Sequence, residues 1–116
     1  MTIMAASKVK VHRVYALVLP DEDPDPSYLD QERFEERREA YERGDFHFVG
    51  VRAVADIEVG GVNQEIASGG LWGIESDSGD DYFATVAKDE YDQLVDILGD
   101  LGVKHVPSLD KKVRHT

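Results

Sequence analysis

The sequence predicts an α+β fold: an antiparallel sheet of three or four strands in the order β-α-β-β-α. The last helix is expected to pack on one face of the sheet, and a second, surface helix follows the first strand. Three observations predict this. Val49, Val51, Ala53, Ala55, Ile57 and Val59 occupy alternate positions, the period of a strand with one buried face. Gly60-Gly61 follows at once, a strong signal for a tight hairpin. Near the C-terminus, Tyr91, Leu94, Val95, Leu98 and Leu101 recur at helical spacing.

The elements follow in order. Met1 to Ser7 is expected to be flexible, with Met4 as an alternative start. Val9 to Leu19 reads as the first strand, because Val9 and Val11 alternate with lysines and Val14 to Leu19 is almost wholly apolar. Pro20 ends it. Asp21-Glu22-Asp23-Pro24-Asp25-Pro26 is a loop, since two prolines bar regular pairing. Ser27 with Asp30 is close to a capping box, and Asp25 before Pro26 is a rival cap. The helix that follows runs through Tyr41 and stops at Gly44. Its apolar stripe is thin (Leu29, Phe34 and Tyr41), so it should lie on the surface.

Phe46 to Val59 is the second strand, with its odd-numbered residues in the core. The third runs from about Gln64 to Ile74, with Ile66, Trp72 and Ile74 on one side. Gly69 and Gly70 interrupt it and mark a bulge or a close backbone approach. Ser78 or Asp80 caps a helical turn through Tyr82, Phe83 and Val86. A better helix runs from Lys88 to Leu98, and Gly99 and Gly102 end it. A short edge strand is expected over Val103 to Pro107, and a basic tail from about 108 to 116.

A chain of 116 residues reads as one domain, 1–116, large enough to bury a core without staples. Its 41% hydrophobic and 32% charged residues are those of a soluble globular protein. It contains no cysteine, which excludes disulfides, thiolate metal sites and cysteine nucleophiles. No signal peptide or membrane span is read, so a cytoplasmic protein is expected. The net charge is -11, from 24 acidic and 13 basic side chains. Such a field repels nucleic acid and membranes and favours basic protein partners.

Four sets of residues are candidates for function. Asp21, Asp23, Asp25 and Glu32 have the carboxylate spacing of a calcium loop, but Pro26 stands where that loop needs glycine. The plain alternative is an acidic loop before a helix N-terminus. Glu75, Asp77, Asp80 and Asp81 surround Gly79 and could hold a hard cation, or support the contact with a basic partner; the plain alternative, which is favoured over the cation, is turn formers and helix caps. Asp89, Asp92, Asp96 and Asp100 fall at spacings of three, four and four, with Glu90 on their flank. That sets them in a row, roughly 5–6 Å between neighbours. Such a row imitates the phosphates of a nucleic-acid strand, whereas the plain alternative is a solvated helix face. Trp72, beside glycines and an acidic turn, is a candidate contact residue, or a core tryptophan packed on the last helix.

Catalysis finds no footing. His12, His47, His105 and His115 are not spaced as a zinc pair, and no nucleophile elbow is present. Ser68-Gly69-Gly70 has the glycines of a phosphate loop without the lysine. No catalytic residue, metal site or cofactor is therefore assigned.

Asp23-Pro24-Asp25-Pro26-Ser27-Tyr28-Leu29, Phe48-Val49-Gly50-Val51-Arg52-Ala53 and the stretch from Ser68 to Ser78 resemble a family of small acidic proteins of bacteriophages and mobile elements. The resemblance covers about half the chain and implies a context, an accessory protein that blocks a host defence complex. The expected function is a non-enzymatic inhibitor of the anti-CRISPR or anti-restriction kind. It would cover a basic, nucleic-acid-binding surface of a protein partner. The second reading is a self-associating module of a mobile element, dimeric through a sheet edge or Trp72.

Overall fold

The alternating stretch forms β2 (Phe48–Val59), the strand on which the rest of the molecule is assembled. A computed structural model describes residues 9–116; the expectations for Met1 to Ser7 lie outside them. On one side β2 pairs antiparallel with β1 (Val9–Pro20) along its length. On the other it pairs antiparallel with β3 (Val62–Ala67) and then with β4 (Leu71–Glu75). The outer edge of β1 carries β5 (Arg114–His115), which runs parallel to it. Among the described residues the fold is thus α+β, with a mixed sheet of five strands.

The β2–β3 connection is the two-residue hairpin that the glycines signal. Gly60 and Gly61 have φ of 57° and 82°, positive values that L-residues with a side chain adopt at a cost. After β3, Ser68, Gly69 and Gly70 leave the ladder, and β4 rejoins β2 with a register shift between Val49 and Val51. The single strand expected from Gln64 to Ile74 is therefore two strands with a break between them. Its side chains do not keep one face: Ile74 is buried beneath the last helix, whereas Trp72 lies on the other side of the sheet.

That helix, α2 (Asp80–Asp100), is one continuous element rather than a turn and a separate helix. Phe83, Val86, Ala87, Leu94 and Leu98 are its buried apolar residues. They pack on Val14, Ala16 and Val18 of β1 and on the odd-numbered residues of β2. The expected stripe is shifted: Tyr91 and Val95 are only half-buried, and Leu101 is 47% exposed.

On the other face, Phe46 and Phe48 hold Leu29, Phe34 and Tyr41 from the segment after β1. That segment contains 3-10 turns over Pro26–Asp30 and Glu32–Phe34, then α1 (Glu35–Glu42), which buries no residue fully. Asp25 is the cap of the first turn, accepting from the Ser27 amide. The segment from Val103 to Pro107 forms no strand. Instead the basic C-terminal stretch docks on the sheet: Leu109 bridges to Val14, and the Thr116 amide donates to the Val18 carbonyl.

Candidate functional site

The sheet orients α2 by burying one face of it, and this fixes what the other face shows. Buried positions 83, 87, 90, 94 and 98 recur at intervals of four, three, four and four. Asp89, Asp92, Asp96 and Asp100 fall outside that stripe, and all four are exposed. The expected row is therefore present on a continuous helix. Among the described residues none of the four takes part in an ion pair. Asp92, Asp96 and Asp100 also border a groove whose apolar lining includes Val95, Val103 and Val106. Tyr91 holds the far wall of this groove by donating to the Pro107 carbonyl at 2.7 Å.

The row runs against the helix dipole. Asp80 and Asp81 sit in the first turn, where negative charge is favoured, and both are exposed. Asp100 ends the helix, and the last turn holds no basic residue to offset it.

Glu90 does not join the acidic flank. It is 3% exposed and lies in the middle of the buried stripe. Its Oε1 accepts from the Ser68 hydroxyl at 2.8 Å and from the Gly70 amide at 2.7 Å. Its Oε2 accepts from the Gln93 side chain at 3.1 Å. Ser68, also buried, accepts from the Ala53 amide. These bonds tie the break between β3 and β4 to α2. The signal was in the sequence: counting the stripe from Phe83 rather than Tyr91 places position 90 inside.

Glu75 and Asp77 are separate from the row and are held within the molecule. Arg37 of α1 binds Asp77 through both guanidinium nitrogens, at 2.8 and 3.0 Å, and reaches Glu75 at 2.5 Å. Its guanidinium also lies over the Phe46 ring. The Tyr28 hydroxyl donates to the second oxygen of Glu75. The Arg37 hydrogen bonds hold the Asp77 carboxyl below the usual carboxylate range. Burial, reinforced by Glu75, pushes the Tyr28 phenol up. Arg37 thus offsets one of the two charges of Glu75 and Asp77 and holds both carboxylates within the molecule.

Trp72 is not packed on the last helix. Its ring lies over Gly50, so closely that a Cβ there would fall 2.1 Å from the indole. Its Nε1 donates to the Gly69 carbonyl, and it remains 41% exposed. In the acidic loop, Asp21 accepts from the amides of Asp23 and Gly73, and Asp25 from that of Ser27. Among the described residues no group of three or more His, Asp or Glu could hold a metal ion. No helix among them is long and apolar enough to cross a membrane.

No protein-family model, no curated protein and no solved structure matches the chain. The resemblance to phage and mobile-element proteins therefore stays an expectation, and function has to be argued from the surface.

Proposed function

We propose that the protein is a non-enzymatic interaction module whose α2 row engages a basic surface of a protein partner, in competition with nucleic acid. The observation that carries this reading is the contrast in charge compensation. Glu75 and Asp77 share Arg37 as an ion-pair partner, whereas Asp89, Asp92, Asp96 and Asp100 are exposed along one helix face without an ion-pair partner among the described residues. Four carboxylates held about one turn apart offer a rigid, pre-ordered series of acceptors to lysines and arginines. The adjoining valine-lined groove supplies an apolar contact beside the charge, as interface cores do. Asp80 and Asp81 lie beyond this row and are secondary contacts in this reading; Trp72, on the opposite face of the sheet, belongs to the second reading. The expected biological setting is inhibition of a host defence complex of the anti-CRISPR or anti-restriction kind.

The test is a quadruple variant, Asp89→Asn, Asp92→Asn, Asp96→Asn and Asp100→Asn, used beside the natural protein to capture partners from a nuclease-treated bacterial lysate. The natural protein should retain a nucleic-acid-binding protein at low salt and release it at high salt. The variant, still folded, should retain none. Equal capture by both would remove the row from the mechanism.

A second reading, self-association, is favoured by the outer edge of β3 and β4. Val62, Leu71 and Trp72 are all exposed there, and an uncovered edge invites pairing with a second copy. Sizing chromatography separates the two: a monomer is expected from the first reading and a dimer from the second.

A further inference from the structure

The sheet face opposite α2 carries α1 and its acids at one end and, beside them, a patch that holds Trp72, Arg52 and Arg114. Val49, Val51 and Ala53 point their side chains towards α2, so Gly50 and Arg52 face the other way. Arg52 pairs in register with Leu17 of β1, which pairs in turn with Arg114 of β5. Two arginines therefore flank Leu17, two strands apart, or about 10 Å. Trp72 covers Gly50, two residues from Arg52 along β2, and its outer face is open.

Arg52 is unusual among the arginines. Arg13, Arg37, Arg38, Arg43 and Arg114 each have a carboxylate within ion-pair distance, and Arg33 lies over Phe34. Arg52 has neither kind of partner among the described residues, and its Nε is buried without a hydrogen bond. That nitrogen is enclosed by the protein, so it is the terminal guanidinium nitrogens that can meet a ligand. Arg114 is fixed over the Tyr15 ring at 3.7 Å, with Asp110 at 3.6 Å. The next row on this face is Ala67, Val54 and Tyr15, which are uncharged. Asp110 apart, the acids of the sheet begin one row further, where Asp56 faces Arg13 at 3.4 Å and Glu65 accepts weakly from Tyr15. At the far end of Trp72, both Asp21 oxygens are engaged with backbone amides.

We propose that this face binds a small anion bearing a flat ring, of the nucleoside monophosphate class, with the base on Trp72 and the phosphate between Arg52 and Arg114. Tryptophan offers the stacking surface that any base accepts. Guanidinium groups offer the paired donors that phosphate accepts. A longer nucleic acid is disfavoured, because the net charge of -11 and the nearby acids repel a polyanion. This site is independent of the α2 row and stands or falls separately.

The chain contains a single tryptophan, so its fluorescence reports on the site alone. AMP, titrated into the full chain, should quench that emission saturably and give a matching calorimetric isotherm. Arg52→Gln should weaken binding at least about tenfold without lowering the melting temperature. Arg52→Lys should also weaken it, because a point charge lacks the planar fork. It retains the positive charge and so covers the case in which Arg52→Gln fails to fold. No saturable signal with AMP, or equal affinity in a folded Arg52 variant, would overturn the proposal. So would binding of a single-stranded oligonucleotide or an acidic aromatic peptide by a protein indifferent to AMP.

Discussion

Two residues decide how the centre of the molecule is put together, and neither is conspicuous alone. Glu90 is an acid at a core position of α2, where it accepts hydrogen bonds from Ser68, Gly70 and Gln93. Glu90→Ala should lower stability by about 3 kcal/mol, because it strands a buried hydroxyl and an amide; urea denaturation measures this. Gly50 is the floor under Trp72. Gly50→Ala should displace the ring, destabilise the fold by about 1–3 kcal/mol and shift the tryptophan emission to the red. Close approach at the paired glycines was legible in the sequence, since glycines inside a strand mark it. The side chain making the approach was not, because nothing local says that Trp72 crosses to the face of Gly50. Glu90 escapes the sequence rule for a different reason: charge is taken as a sign of exposure, and the rule fails where one backbone amide and two side-chain donors converge on a carboxylate.

At the scale of elements, α2 combines a buried stripe with an acidic row that weakens its own helix. Asp92, Asp96 and Asp100 repel one another at spacing four, and Asp100 opposes the dipole at the helix end. The quadruple asparagine variant should therefore melt at a higher temperature than the natural protein while losing partner binding. Scanning calorimetry checks the first half of that statement. A row that only solvated the helix would have no reason to carry this cost uncompensated.

Arg37 joins α1 to the turn after β4, and its loss should show in acid. A carboxylate whose folded pKa is depressed contributes stability above its unfolded pKa and loses it as pH falls through the folded value. For Asp77 the shift is downward and Arg37 is its main cause. Melting temperatures of the natural protein and Arg37→Ala should thus differ at pH 7, and the difference should shrink as pH falls below about 4, through the depressed Asp77 value. The long elements were legible because their periodicity is strong: β1, β2, the hairpin and α2 all follow it. β5 was not, because two residues carry no period, and a basic ending resembles a loose tail. Its parallel pairing comes from β1 having a free edge, which is a property of the sheet and not of the local sequence.

Over the described residues both faces of the sheet carry acids, in different settings. One side is covered by α2, whose aspartate row has no ion-pair partner among those residues. The other carries α1, where Arg37 bridges to Glu75 and Asp77, beside an open tryptophan with Arg52 and Arg114. The surplus of acid could be counted from the composition, but its settings could not, because Glu75 and Asp77 became paired only when α1 folded back to them. A monomer with this distribution should bind a basic partner with a steep dependence on salt, since exposed charges are screened within about 10 Å at 0.1 M. The most direct measurement is displacement. A labelled oligonucleotide is bound to the captured partner, and the protein is added at rising salt. The natural protein should displace the oligonucleotide competitively, less well as salt rises, and the quadruple asparagine variant should not. Equal displacement by that folded variant, or displacement indifferent to salt, would contradict a role for the aspartate row.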